Sequence, residues 1–497
     1  MKNQVQLITY VDRLGGGDLR ALHRLLTGPL HGVFGGVHLL PFYHAIDGAD
    51  AGFDPIDHTL VDPRLGTWAD VQALSRDVAI VADLIVNHMS ADSPQFQDFS
   101  RHGAASAYAG LFLTYAAVYP EGATEAQLLA LYRPRPGLPF TCTILQNGEK
   151  RILWTTFTPK QVDIDVRHPQ GAAYLRSILE IFRTSGVSLI RLDAAGYAVK
   201  KAGTSCFMLP ETYAFIGALA AQARDLGIEV LVEIHSYYRE QIAIAQKVDR
   251  VYDFALPPLV LHALFRGTAR ALRHWLAISP RNAITVLDTH DGIGIIDIGA
   301  DPADRVERPG LLLPTELDAL VETIHANSRG ESRQATGAAA NNLDLYQVNC
   351  TYYDALGRDD RAYLIARAIQ FFAPGIPQVY YTGLLAGHND LALLARTQVG
   401  RDINRHHYTA PEITAALARP VVQDLLALIR LRNTHPAFAG EFVIVESPET
   451  VLHLRWTHAA ETISLAVDLP ARTAAITFTD DDATATHDLF AHLGRRT

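Results

Sequence analysis

Eight short runs of β-branched and aliphatic residues recur along the chain, most of them separated by amphipathic helical stretches, and this alternation constrains the fold more than any other feature. The runs fall at residues 4–10, 36–42, 78–86, 187–192, 229–234, 251–254, 284–287 and 377–381. Short apolar runs of this kind predict buried parallel strands. Helical periodicity appears between them, for example at 170–184, 210–226, 259–277 and 360–372. Repeated strand–helix units predict a parallel sheet, and eight of them favour a closed (β/α)8 barrel of the TIM type over an open doubly wound sheet.

Two interruptions are too long for ordinary loops. One follows the third strand and is rich in aromatics, Pro and Gly, as in Tyr132-Arg133-Pro134-Arg135-Pro136-Gly137; the other follows the seventh strand. Both leave the C-terminal face of the barrel, so both are expected to roof an active site. The domain reading is a barrel from 1–86, 167–291 and 358–437, with inserted domains at 87–166 and 292–357. After a helix at 420–434 the pattern changes to short alternating runs at 442–446, 451–456, 462–467 and 474–478. These predict a C-terminal antiparallel β domain over 438–497.

Bulk properties narrow the function classes. The 497 residues are 48% apolar and 19% charged, which supports a large core and argues against disorder. A net charge of −10 and the lack of basic clusters argue against nucleic acid as a partner. Cys142, Cys206 and Cys350 are far apart and odd in number, as expected of reduced thiols in the cytoplasm. The N-terminus lacks a signal-peptide apolar core and no stretch has the length of a membrane span, so no membrane association is expected. Gly15-Gly16-Gly17 forms neither a dinucleotide fingerprint nor a Walker loop, and no HExxH or Cys/His spacing suggests zinc.

Four acidic segments sit where strands end. They are Asp83-Leu84-Ile85-Val86-Asn87-His88, Arg191-Leu192-Asp193-Ala194-Ala195-Gly196-Tyr197, Leu231-Val232-Glu233-Ile234-His235 and Leu287-Asp288-Thr289-His290-Asp291. Acids at the C-terminal ends of several barrel strands are the usual material of a barrel active site. Taken singly, each is as readily a structural salt bridge, and Asp83 is the clearest such case, facing Arg191. Together, Asp193, Glu233 and Asp291 supply the carboxylates that glycoside chemistry needs.

In order and position these segments resemble the conserved regions of the α-amylase superfamily, glycoside hydrolase family 13. Longer strings carry a closer resemblance to the glucoside phosphorylases of that family: Gly48-Ala49-Asp50-Ala51-Gly52-Phe53-Asp54-Pro55-Ile56-Asp57-His58, Tyr132 to Phe140, Asn342-Leu343-Asp344-Leu345-Tyr346-Gln347-Val348-Asn349, and Gly400-Arg401-Asp402-Ile403-Asn404-Arg405. The resemblance runs from Val5 to about Arg432. It implies Asp193 as nucleophile, Glu233 as general acid/base with a raised pKa, and Asp291 as stabiliser of the oxocarbenium-like transition state. Arg191, two residues before Asp193 on one face of a strand, is expected to keep Asp193 ionised. The sugar-binding set implied by the resemblance is Asp50 and Arg401 as a clamp on the 4-hydroxyl end of glucose, with Phe53 and Phe157 as apolar walls. His88, His290, Tyr197 and His235 complete it. Asn87 falls where calcium-binding amylases supply a ligand, but the phosphorylases do without the metal, so neither metal nor cofactor is expected.

The acceptor separates phosphorylase from hydrolase. A phosphate dianion among carboxylates needs a cation and hydrogen-bond donors. The resemblance points to Arg135, Tyr346 and His235 for phosphate, with Pro134, Asp344, Leu345 and Gln347 near the acceptor. The implied reaction is that of a retaining glycosyltransferase: sucrose and inorganic phosphate give α-D-glucose 1-phosphate and D-fructose. Sibling activities on sucrose 6′-phosphate, glucosylglycerate or glucosylglycerol, an α-glucosidase-type hydrolase, and a non-catalytic scaffold are the alternatives. Pro134, Leu345, Tyr346 and Gln347 favour unmodified sucrose, since a phosphorylated fructose calls for extra Lys or His there. A homodimer is implied by resemblance alone.

Overall fold

All eight runs form strands in the computed structural model, which describes residues 1–48, 50–134, 137–301, 305–336, 347–480 and 483–489. They are β1 Gln6–Thr9, β2 Gly36–Leu39, β3 Ala79–Ile85, β4 Val187–Asp193, β5 Glu229–Val232, β6 Arg250–Asp253, β7 Ala283–Thr285 and β8 Ile376–Tyr380. Each pairs in parallel with its neighbours in chain order, and β8 closes on β1. Closure removes the open edges that a sheet of bare apolar strands would expose. Val81, Leu189, Leu231, Tyr252, Ile284 and Ile376, from β3 through β8, pack together inside the barrel.

The helices start where the sequence caps them. Pro169–Thr184 and Pro210–Asp225 both open on proline, whose missing N–H has no partner to lose in a first turn. The single helix expected at 259–277 is in fact two, Leu256–Arg266 and Arg270–Ile278. Gly267 ends the first in a left-handed conformation (φ 66°), its N–H donating to Ala263 O at 2.9 Å. The apolar periodicity continues through that break, which is why the sequence reads as one element.

Between β3 and β4 the chain forms the helix Pro94–His102 and an antiparallel ribbon of Phe140–Ile144 with Lys150–Trp154. It returns beside its own start, His88–Ser90 pairing with Gln161–Asp163. Between β7 and β8, Ile293–Gly294 pairs with Gln347–Val348, and the helices Pro314–Asn327 and Glu331–Thr336 lie between these two strands.

The tail is a five-stranded antiparallel meander: β9 Glu441–Ile444, β10 Val451–His458, β11 Glu461–Asp468, β12 Thr473–Asp480 and β13 Ala483–Asp488. The four runs expected from sequence are β9 to β12. The fifth, Ala-Thr-Ala-Thr-His-Asp, carries too little apolar area to stand out. Trp456 of β10 docks the sheet on the barrel, donating from Nε1 to Phe372 O at 2.8 Å. Among the described residues no helix is long and apolar enough to cross a membrane.

Candidate active site

The site begins with alternation along β4. Leu189 points into the barrel, so Arg191 and Asp193, two and four residues on, point the same way. Register then sets Arg191 beside Asp83 of β3. Arg191 is buried, and its Nη1 lies 2.6 Å from Asp83 Oδ1 and 3.0 Å from Asp193 Oδ1; its Nη2 lies 3.0 Å from Glu233 Oε1. One guanidinium therefore serves three carboxylates. Below it, Asp83 Oδ2 is 3.1 Å from His38 Nε2, His38 Nδ1 is 3.2 Å from Tyr252 Oη, and that hydroxyl donates to Gln378 Oε1 at 3.1 Å. Burial raises the Asp83 carboxyl, but His38 and Arg191 outweigh it and leave its pKa at about 2.

Asp193 behaves differently. Burial pushes its carboxyl well above the ordinary range, Arg191 pulls it back, and Glu233, Asp83 and Asp50 push it up again. Arg191, expected to keep Asp193 ionised, acts in that direction, but burial works against it and the guanidinium is divided among three carboxylates. The chain turns sharply after Asp193, with Ala194 in the left-handed region (φ 53°). That turn aims the Ala194 N–H at Glu233 Oε2, 3.5 Å away.

Asp291 completes the carboxylate set from beyond β7. Its Oδ1 lies 2.8 Å from Arg401 Nη1, and its Oδ2 is 3.8 Å from both His235 Nε2 and His290 Nε2. Burial opposes its charge, yet Arg401, His290 and His235 hold the carboxyl well below the usual range. Arg401, expected with Asp50 to clamp the 4-hydroxyl end of glucose, pairs with Asp291, and the field of Asp50 reaches Arg405 and Asp193. Arg405 is itself fixed by donating from Nε to His290 O at 2.9 Å.

Aromatic rings wall the pocket. Phe53 stacks on His290 with centroids 4.9 Å apart, and the Arg191 guanidinium lies over the Phe53 ring, 5.4 Å from its centroid. His88 Nε2 is 2.9 Å from Phe53 O, and its ring meets Phe157 edge-on at 5.2 Å. Phe157 in turn meets Tyr197, which packs on Phe207 at 4.7 Å. Burial lowers the pKa of both His88 and His290, so both rings are neutral donors or acceptors there.

Of the residues expected near the acceptor, Gln347 accepts through Oε1 from Gly292 N at 3.3 Å and Arg401 Nη2 at 3.5 Å. Its Nε2 is 3.5 Å from His235 Nε2. Pro134 is half-buried in the loop before the ribbon. Arg135, Asp344, Leu345 and Tyr346 lie outside the described residues.

Two cation questions arise. Glu233, His235 and Asp291 bring ligand-type atoms within 4.8 Å of one another. Each carboxylate already has a guanidinium, and His235 carries its own proton, so the trio is an acid–base cluster rather than a metal cage. At Asn87 the fit to calcium also fails. Its Oδ1 is 2.7 Å from the buried Lys200 Nζ, which also lies 2.6 Å from Asp163 Oδ2 and donates to Tyr197 O. A tethered ammonium fills the oxygen set that a metal ion needs. Sequence reasoning missed Lys200 and Asp297, described below, and no local motif marks either.

Comparison with known proteins gives a consistent picture. Residues 31–210 match the family described as Alpha amylase, catalytic domain. The chain is 63% identical over 477 residues to a sucrose phosphorylase of Agrobacterium vitis, covering 96% of this chain and 97% of that one. It is 56% identical over 456 residues to a sucrose phosphorylase of Bifidobacterium adolescentis, covering 92% and 90%. The crystal structure of a sucrose 6F-phosphate phosphorylase from Thermoanaerobacter thermosaccharolyticum superimposes with a TM-score of 0.90 at 38% identity, covering 98% of both chains.

Proposed function

The chain belongs to the α-amylase family, in the group of the sucrose phosphorylases and their sibling glucoside phosphorylases, and on that premise we propose the reaction it runs and the residues that run it. It transfers the glucosyl group of sucrose to inorganic phosphate, reversibly, giving α-D-glucose 1-phosphate and D-fructose. The observation that carries this reading is similarity to a sucrose phosphorylase along nearly the whole chain.

Asp193 attacks the anomeric carbon and forms a covalent glucosyl ester, while Glu233 hands its proton to the departing fructosyl oxygen. Burial and the neighbouring carboxylates work against the Asp193 anion while Arg191 favours it, and attack proceeds from the form in which the Asp193–Glu233 pair holds one proton, on Glu233. Substrate resolves the conflict. Positive charge developing on the anomeric carbon favours the anion on Asp193, and the leaving oxygen gives a proton on Glu233 somewhere to go. Asp291, kept anionic by Arg401, steadies the same developing charge. Fructose then leaves, phosphate attacks the ester, and Glu233 takes the proton back. Two inversions at one carbon restore the α configuration. Phe53, Phe157, His88, His290 and Tyr197 form the glucose pocket with Asp50 and Arg401, and Arg135, Tyr346, His235 and Gln347 serve the phosphate side. A cytoplasmic homodimer completes the proposal, supported by family resemblance and by three free thiols.

Incubation with sucrose, with and without inorganic phosphate and with no added metal, tests the reading. Glucose 1-phosphate of α configuration is expected in amounts that track phosphate. Equal glucose release in both tubes would mean a hydrolase, and inertness to sucrose with rapid turnover of glucosylglycerol, glucosylglycerate or sucrose 6′-phosphate would move the chain to a sibling activity.

A further inference from the structure

Asp297 lies in a short 3-10 turn at Ile296–Ile298, fully buried, and takes no part in the mechanism above. Three donors converge on it. Its Oδ2 is 3.1 Å from His235 Nδ1, and its Oδ1 accepts from Ser236 N at 3.2 Å and from Gln241 Nε2 at 3.1 Å. The His235 ring lies flat on Phe254, centroids 3.8 Å apart, so it cannot swing away from this carboxylate. Space for the contact is built into the backbone: a Cβ at Gly294 would stand 2.2 Å from Asp297 Oδ2. The other ring nitrogen, Nε2, faces Glu233 Oε1 at 3.7 Å and Asp291 Oδ2 at 3.8 Å, and Gln347 Nε2, itself a donor, stands beside it at 3.5 Å.

We propose that Asp297 is a positioning residue for the phosphate half-reaction, holding His235 as an imidazolium whose Nε2–H offers the incoming phosphate a fixed positive charge between two carboxylates. The inference rests on the phosphorolytic reading above. A histidine bonded to a carboxylate through one nitrogen is oriented and made more basic at once. Burial works against a charged ring at His235, but Asp297, then Asp291 and Glu233, overcome it and raise its pKa to about 10. Among the described residues, further charges nearby are Arg401, which pairs with Asp291, Arg191, which pairs with Glu233, and Asp253, which the field of Asp297 reaches. Hydrolysis of the glucosyl ester by neutral water has less need of that charge than attack by a dianion.

The test uses the full chain and inorganic phosphate as the probe. In the wild type the KM for phosphate is expected to stay level from about pH 8, where phosphate is already a dianion, and to rise only as His235 loses its proton near pH 10. Asp297→Asn is expected to raise the KM for phosphate at least about tenfold and to move that rise below about pH 8. Hydrolysis should fall by a smaller factor, so the ratio of glucose 1-phosphate to glucose drops. Gly294→Ala, which crowds Asp297 from the backbone side, should do the same more mildly and stands in if the first variant does not fold. A wild-type phosphate KM that already climbs between about pH 6 and 8 beyond the phosphate ionisation itself overturns the proposal. An unchanged phosphate KM in the folded variant, or equal losses of hydrolysis and phosphorolysis, overturns it too. Failure of the wild type to make any glucose 1-phosphate would instead refute the phosphorolytic reading.

Discussion

Replacing Lys200 with Met removes a buried ammonium while keeping most of its volume. In the folded chain that ammonium lies 2.6 Å from Asp163 and 2.7 Å from Asn87, and it also meets Tyr197 O. Asp163 is fully buried, and Thr156 N at 3.0 Å and Thr156 Oγ1 at 2.5 Å also donate to it. Stranding one member of a buried ion pair costs about 3–5 kcal/mol. Unfolding entropy near Tm is about 2.1 cal/mol/K per residue, or about 1 kcal/mol/K for a chain of this length unfolding as one unit. Lys200→Met should therefore melt about 3–5 °C below wild type by scanning calorimetry. The double variant Lys200→Met/Asp163→Asn should recover part of the loss, because the orphaned charge is gone. Sucrose KM should rise as well, since Asn87 precedes His88 and Tyr197 lines the same pocket. EDTA should leave the wild-type melting curve unchanged, and millimolar calcium should stabilise Lys200→Ala more than the wild type. A melting temperature for Lys200→Met within about 1 °C of wild type would refute the claim that this ammonium holds the three segments together.

Three further outcomes are expected. Asp193→Asn should lower turnover of sucrose by at least about 10³-fold with the fold intact, and Glu233→Gln should cripple sucrose cleavage yet spare a donor with a good leaving group, both read by steady-state kinetics. Arg135→Ala should raise the phosphate requirement and shift product from glucose 1-phosphate towards glucose; an unchanged affinity for phosphate would return Arg135 to a solvated loop. Asp253 accepts bonds from Leu256 N and Trp275 Nε1, but burial raises its pKa to about 7, above its unfolded value. The native state then binds the extra proton, so this group's contribution to stability falls as pH rises from about 4 through 7. Asp253→Asn should flatten that part of the melting temperature against pH, and an unaltered slope would refute the assignment.

The barrel was legible because its strands are buried on both faces and so carry unbroken β-branched runs, and the acids were legible because each ends such a run. What escaped the sequence depends on contacts between distant segments. Lys200 meets Asn87 across 113 positions and Asp297 meets His235 across 62, with no spacing rule to announce either. The pairing of Arg401 with Asp291 joins segments 110 positions apart, and no spacing rule announces it. Gly267 broke a helix whose apolar rhythm ran on, and β13 hid in a polar Ala-Thr repeat. The list of carboxylates did not reveal that Arg191 is shared three ways or that burial works against its hold on Asp193.

That sharing gives the pocket a pharmacology. Asp83, Asp193 and Glu233 draw on a single guanidinium, so ionising Asp193 adds a negative charge that Arg191 alone does not balance. A sugar-sized ring with a protonated nitrogen in place of its anomeric centre brings the missing charge with it and finds Asp193 and Glu233 already oriented. A neutral carbocycle of the same shape meets identical walls without that attraction. In receptor terms the proposed glucose pocket should select cations, and ring amines rather than ring ethers are the natural starting point for inhibitors.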